Sequence, residues 1–248
     1  MRRLAWFVFA SACAASAQAQ NLATTCQASS SYDLTLRPQS LLFDRPQPAP
    51  YRVELQDGTL QTDGRTVALR MDEQDRLAMF ERRLRALEPR AKAVARNGVD
   101  MLARAMHDEA AQLSLSAETQ AELDRRLSAR AQELKQRIAA SESTHDWQGD
   151  IATGYANQIA GDILPLLASE LSQQAVAAAV SGDLQGAADL RDRATDLATE
   201  LRPRLERRMQ ALRPQIQALC PELRELAELQ EGIRGADGRP LNLLHVGP

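Results

Sequence analysis

From Asp183 to about Glu231, apolar residues recur at steps of three and four: Leu190, Ala194, Leu197, Leu201, Leu205, Leu212, Ile216, Leu219, Leu223 and Leu226. That spacing lays one apolar stripe along a helix, with Arg and Glu on the other side. The stripe has to be covered, so the chain must supply further helices to pack on it, as a bundle or a coiled coil. Pro203 and Pro214 lie inside the pattern. Each removes a backbone donor and crowds the preceding turn, which predicts kinks or breaks. Pro221, directly after Cys220, suits the first position of a restarted helix.

The partners are visible upstream. Trp147, Ile151, Tyr155, Ile159, Ile163, Leu166, Leu167, Leu171, Ala175 and Val180 predict a long helix, kinked at Pro165. Ser181-Gly182-Asp183 then ends one helix and caps the next, so residues 147–230 read as an antiparallel helical hairpin. Leu77, Phe80, Leu84 and Leu87 predict a helix entered through Asp72, Glu73 and Asp75 and bent at Pro89. Val94, Leu102, Ala105, Met106 and Leu113 continue the pattern past Gly98. Ser114 or Ser116 suits an N-cap before the helix of Leu123, Leu127, Leu134 and Ile138. Ser143 or Thr144 is a further capping candidate in the polar connection 141–146.

The first third has a different period. Tyr32-Asp33-Leu34-Thr35-Leu36 alternates like a strand, and Ser40 to Phe43 suits a second one. Pro46, Pro48 and Pro50 make an extended loop. Short alternating runs follow, separated by Asp57-Gly58 and Asp63-Gly64, pairs that tolerate the positive φ of tight hairpin turns. Near the end, Leu241 to Val246 is expected to form a last strand returning to this sheet. The predicted class is α+β, predominantly α: a small N-terminal antiparallel sheet, then an elongated bundle of long amphipathic helices. The expected divisions are 1–19, 20–71, 72–235 and 236–248: a signal peptide, the β region, the helical bundle and a C-terminal tail.

Met1-Arg2-Arg3, the apolar run Leu4 to Ala10 and the small residues ending Ala17-Gln18-Ala19 have the form of a cleaved secretory signal peptide. The alternative is a lipoprotein signal anchored at Cys13, but Ala10 stands where Leu is usual. The run is shorter than the roughly 20 residues of a membrane span, and no later run is expected to span. The expected product is a soluble periplasmic protein. Removing the signal takes two of the 30 basic residues and none of the 33 acids, so the balance becomes more acidic, which argues against nucleic-acid binding. Cys26 and Cys220 then remain, an even number in an oxidising compartment, which favours one disulfide over two free thiols.

No chemistry-bearing motif appears. His107, His145 and His245 are far apart, without His-x-x-x-His or Cys-x-x-Cys spacing, so no metal or other cofactor is implied. Nucleophile-elbow, phosphate-loop and dinucleotide patterns are missing. Acids such as Glu222 and Glu225, or Glu228 and Glu231, read as solvated helix faces. Two basic clusters stand out: Arg82, Arg83, Arg85, Arg90, Lys92 and Arg96, and Arg202, Arg204, Arg207, Arg208 and Arg213. Intrahelical pairing with nearby Glu is the plain account. The functional one makes Arg202, Arg204, Arg207 and Arg208 anion contacts for lipid headgroups or an acidic partner. Trp147 and Tyr155 share a helix face that suits core packing.

An early Cys, the strand-like residues 32–36, Leu60-Gln61-Thr62-Asp63-Gly64-Arg65-Thr66-Val67-Ala68-Leu69, and Leu84-Arg85-Ala86-Leu87-Glu88-Pro89 precede a long helical region with a late Cys. This layout resembles the YggN-like family of bacterial periplasmic proteins. The resemblance implies a Gram-negative envelope location and supplies no activity or site residues. The expected function is a non-enzymatic interaction or structural protein of the envelope, partnered by an envelope protein or lipid. The alternative is a binding module for an apolar or anionic ligand such as a phospholipid, held in a cavity lined by Ile159, Leu166, Leu197 and Leu201.

Overall fold

The computed structural model describes residues 25–147 and 149–247, with side chains at 147–160, 198 and 202 outside the description. The signal-peptide and Cys13 expectations therefore lie outside the described residues. The chain runs β1 (Ala28–Ser29), β2 (Asp33–Leu36), β3 (Leu41–Asp44), β4 (Arg52–Gln56), β5 (Thr59–Thr62) and β6 (Arg65–Thr66). Helices α1 (Met71–Ala111) and α2 (Ala117–Ala140) follow, then a 3-10 turn (Thr144–Trp147), α3 (Gly149–Val180) and α4 (Leu184–Met209). A 3-10 turn (Gln210–Leu212), α5 (Arg213–Gln217), α6 (Cys220–Leu229) and β7 (His245–Val246) complete it. The class is the predicted one, a small antiparallel sheet leading into long helices.

Strands β2 to β6 form an antiparallel meander in sequence order. Both Asp-Gly pairs turn as the sequence predicts. Asp57 and Gly58 have φ of 49° and 79°, and Asp63 and Gly64 of 50° and 75°, the doubly positive pattern of type I′ hairpins. Gly58 is required for a second reason, since a Cβ there would stand 2.5 Å from the Gln74 carbonyl oxygen of α1.

One face of the sheet, with Leu41, Phe43, Val53, Leu55 and Leu60, packs with Leu77 and Phe80 of α1 and Leu223 and Leu226 of α6. Cys26 and Cys220 lie inside this cluster and are bonded, with S–S 2.03 Å across a separation of 194 residues. A second cluster gathers Met106 and Ala110 of α1, Leu123 and Leu127 of α2, Ile163, Leu167 and Leu171 of α3, and Leu197 of α4. The 41 residues of α1 span about 60 Å at 1.5 Å per residue and connect the two clusters.

Helix α1 continues through Pro89, because Leu87 on one side is buried in the first cluster and Ala91 and Val94 on the other pack against it. Helices α3 and α4 likewise continue through Pro165 and Pro203. The stripe from Asp183 to Glu231 divides after Met209, Pro221 lies in the first turn of a restarted helix as predicted, and Pro214 likewise lies in the first turn of α5, where a missing N–H costs nothing. One expectation changes, that for the C-terminal strand. It is only His245–Val246, and it pairs with β1 in a separate two-stranded ribbon rather than joining the meander. Gln230 draws the tail in, its side-chain oxygen accepting from Leu243 N (2.6 Å) and Leu244 N (3.2 Å).

Buried Glu81 of α1 joins helix to sheet. Its carboxylate accepts from Asp57 N (3.1 Å) and Gly58 N (3.0 Å), so the hairpin turn is held at both donors. Burial raises its pKa, opposed by those two N–H groups. A folded pKa above the unfolded one makes this group's contribution greatest at low pH, declining as pH rises through the folded value. Glu81→Gln is expected to flatten that slope and to cost about 1–3 kcal/mol, because one turn N–H loses its acceptor. Urea unfolding across pH checks this, and an unchanged midpoint would contradict it.

Candidate functional site

The predicted anion contacts lie near the end of α4, where that helix passes α1. Steps of four place Arg204 and Arg208 on one face, toward the last turn of α1. Glu109, at 8% exposure, receives both: Arg204 Nη1 at 3.1 Å on Oε2 and Arg208 Nη2 at 3.5 Å from Oε1. Arg204 also meets Asp196 at 2.6 Å, and Arg208 meets Asp108 at 2.6 Å. Hydrogen bonds to Glu109 and then Asp196 hold the Arg204 guanidinium still more firmly protonated. Arg207 is exposed, with no ion pair among the described residues, and the Arg202 side chain lies outside them. So Arg204 and Arg208 are engaged in joining α4 to α1, and Arg207 is exposed without an ion pair among the described residues.

Half of the upstream cluster follows the same rule. Arg83 pairs with Glu225 and Arg90 with Glu222, both across to α6, while Lys92 meets Glu88 at 2.7 Å and the Ala139 carbonyl of α2 at 3.1 Å. These are mostly contacts between helices, where intrahelical pairs were expected. The crossing of α1 over α4 and α6 brings acids distant in sequence within reach of Arg83, Arg90, Arg204 and Arg208.

Two surface depressions are lined by polar groups already in use. One holds Asp33, Asp44, Arg45, Pro46, Tyr51 and Arg52. Arg52 pairs with Asp44 at 2.9 Å. Arg45 lies 4.0 Å over the Tyr32 ring and donates to the Pro50 and Ala49 carbonyls and Ser31 Oγ. The other holds Arg76, Arg83, Glu225 and Glu228, where Arg76 donates to the Glu231 carbonyl at 2.8 Å.

The histidines stay apart. His107 lies 3.5 Å from Asp124, His145 lies 3.6 Å from Asp33, and His245 is in β7. Among the described residues no group of three or more His, Cys, Asp or Glu is placed to hold a metal ion. Leu166 and Leu201 pack against the second apolar cluster, and Leu197 is part of it. Ile159, Trp147 and Tyr155 have side chains outside the described residues.

What sequence periodicity missed is the far end of the α3–α4 hairpin. Val176, Val180 and Leu184 are 63%, 84% and 72% exposed. The turn between them closes on itself. Ser181, Gly182 and Asp183 N–H groups bond to Ala177, Ala179 and Ala178 carbonyls, and Asp183 caps Gly186 N at 2.8 Å. One signal was readable: from Leu171 to Ala188 the chain carries a single charge, Asp183. Gly161–Val180 is also long and apolar enough to cross a membrane by length and composition, although no later spanning run was expected, and 28% of its most apolar window is buried.

Glu109→Gln removes the charge that both arginines share, and is expected to cost about 1–3 kcal/mol in urea unfolding. Arg207→Gln, with nothing to lose, is expected to leave the midpoint unchanged. Equal effects would contradict this division of roles.

No curated protein and no solved structure matches the chain. A family model described as a protein of unknown function, DUF2884, matches residues 26–236, a span that opens on Cys26 and includes Cys220, and the chain belongs to that family.

Proposed function

We propose that this protein is a non-catalytic interaction or structural component of the bacterial envelope, secreted to the periplasm behind a cleaved signal peptide. The observation that carries the proposal is the exposed apolar end of the α3–α4 hairpin, formed by Val176, Val180 and Leu184. Large apolar side chains gathered in water mark contact surfaces more often than chemistry. The Cys26–Cys220 bond suits an oxidising compartment, and the resemblance to YggN-like proteins points to the same place. Leu166, Leu197 and Leu201 contribute to a packed cluster, which favours a partner held on the outside over a phospholipid held between the helices.

A photo-crosslinking residue at Leu184, with exposed Glu118 as the control position, tests the proposal in intact cells. The expected result is a discrete adduct with a second envelope polypeptide from position 184 and none from 118. No adduct from 184, or the same diffuse labelling from both, would overturn it.

A further inference from the structure

The five-stranded meander has two outer strands, β2 and β6, and they are finished differently. Strand β6 is two exposed residues, Arg65–Thr66, too short and too charged to seed pairing with another chain. Strand β2, Asp33–Leu36, is four residues long and carries Leu34 and Leu36, with a charge only at its first position. On one side it pairs with β3. Its opposite edge is occupied by the connection between α2 and α3. Leu36 N donates to the Glu142 carbonyl at 2.8 Å, Thr35 bridges Ser143, and Leu34 N donates to Thr144 Oγ1 at 2.8 Å.

Residues 142–144 imitate a strand incompletely. A hydroxyl stands at Leu34 N where a paired strand would present a carbonyl, and the Thr35–Ser143 bridge is isolated. The segment Glu142-Ser143-Thr144-His145-Asp146 contributes no apolar side chain to either cluster. Polar contacts hold it: Thr35 Oγ1 donates to Ser143 Oγ at 3.4 Å, Ser141 Oγ to Asp146 Oδ2 at 3.2 Å, and His145 lies 3.6 Å from Asp33. A true strand would offer this edge a backbone carbonyl for each donor, so it makes a better partner than the segment now in place.

We infer that residues 142–144 are an autoinhibitory cap on β2, and that removing the cap opens an edge which pairs with β2 of a second copy of this chain. The observation that carries this is the use of two outward donors, Leu34 N and Leu36 N, by a polar connection outside both apolar clusters, 110 positions away at Leu34. An unpaired edge is a template for strand addition, and its main-chain hydrogen bonds supply affinity whatever the side chains of the incoming strand. In the purified protein every uncapped copy offers the same edge, so the strand available to it is β2 of another copy. The cap does not rest on the envelope partner proposed above.

The double substitution Ser143→Ala/Thr144→Val in the full-length protein removes the two hydroxyls that meet β2 and leaves both apolar clusters untouched. Hydrogen exchange and sedimentation velocity read the result. The expected outcome is exchange roughly tenfold faster at the Leu34 and Leu36 amides. The dissociation constant for self-association is expected to fall roughly tenfold or more, with the helical circular dichroism preserved. Adding Thr35→Lys brings like charges together across a β2–β2 pair, and is expected to reverse the association while exchange stays fast. Unchanged exchange at both amides would overturn the inference. So would fast exchange without added association, or association that Thr35→Lys leaves in place.

Discussion

The disulfide between Cys26 and Cys220 is the constraint on which the sheet side depends. It joins residues 194 positions apart, inside the same apolar cluster that holds Leu41, Val53, Leu55 and Leu226. Chain entropy over a loop that long gives an upper figure of about 5 kcal/mol. The bond has local consequences as well. It fixes the segment that becomes β1 beside the first turn of α6, and Gln230 at the end of α6 then holds the tail so that β7 can pair with β1. A two-residue ribbon has no stability of its own, so both of its strands depend on where these two cysteines lie.

Helix α1 carries that constraint to the other end of the molecule. Leu77 and Phe80 belong to the disulfide cluster, and Met106 and Ala110 to the helical one. Charges reinforce the same beam: Glu81 holds the hairpin turn, Arg83 and Arg90 reach α6, and Glu109 receives Arg204 and Arg208 of α4. Five basic residues of what looks like binding patches in one dimension, Arg83, Arg90, Lys92, Arg204 and Arg208, are ties between helices in three. The apolar end of the hairpin, Val176, Val180 and Leu184, stays exposed outside both clusters.

Local signals made much of the fold legible. The Asp-Gly pairs, the Ser116 cap, the Gly182–Asp183 break and the pairing of the two cysteines each follow from nearby residues or from a count. Proline marked the helix restart at Pro221 as predicted. Pro89, Pro165 and Pro203 are carried within continuous helices, while Pro214 and Pro221 sit at helix starts. Position within an element decides a proline's effect, and periodicity alone does not fix that position. The arginine pairs were not legible because their acids lie on other helices, with about 95 to 100 residues between partners at Arg204–Glu109 and Arg208–Asp108. The far end of α3 was readable as an absence of charge, yet only the packing shows which of its residues face water.

Hydrogen exchange on the Cys26→Ser/Cys220→Ser double variant tests most directly whether the disulfide organises one end of a two-cluster molecule. The account predicts faster exchange in β1, β7 and the first turn of α6, with α3 amides from Ile163 to Leu171 protected as before. An equal rise in both clusters, or no change around the two substituted positions, would contradict it.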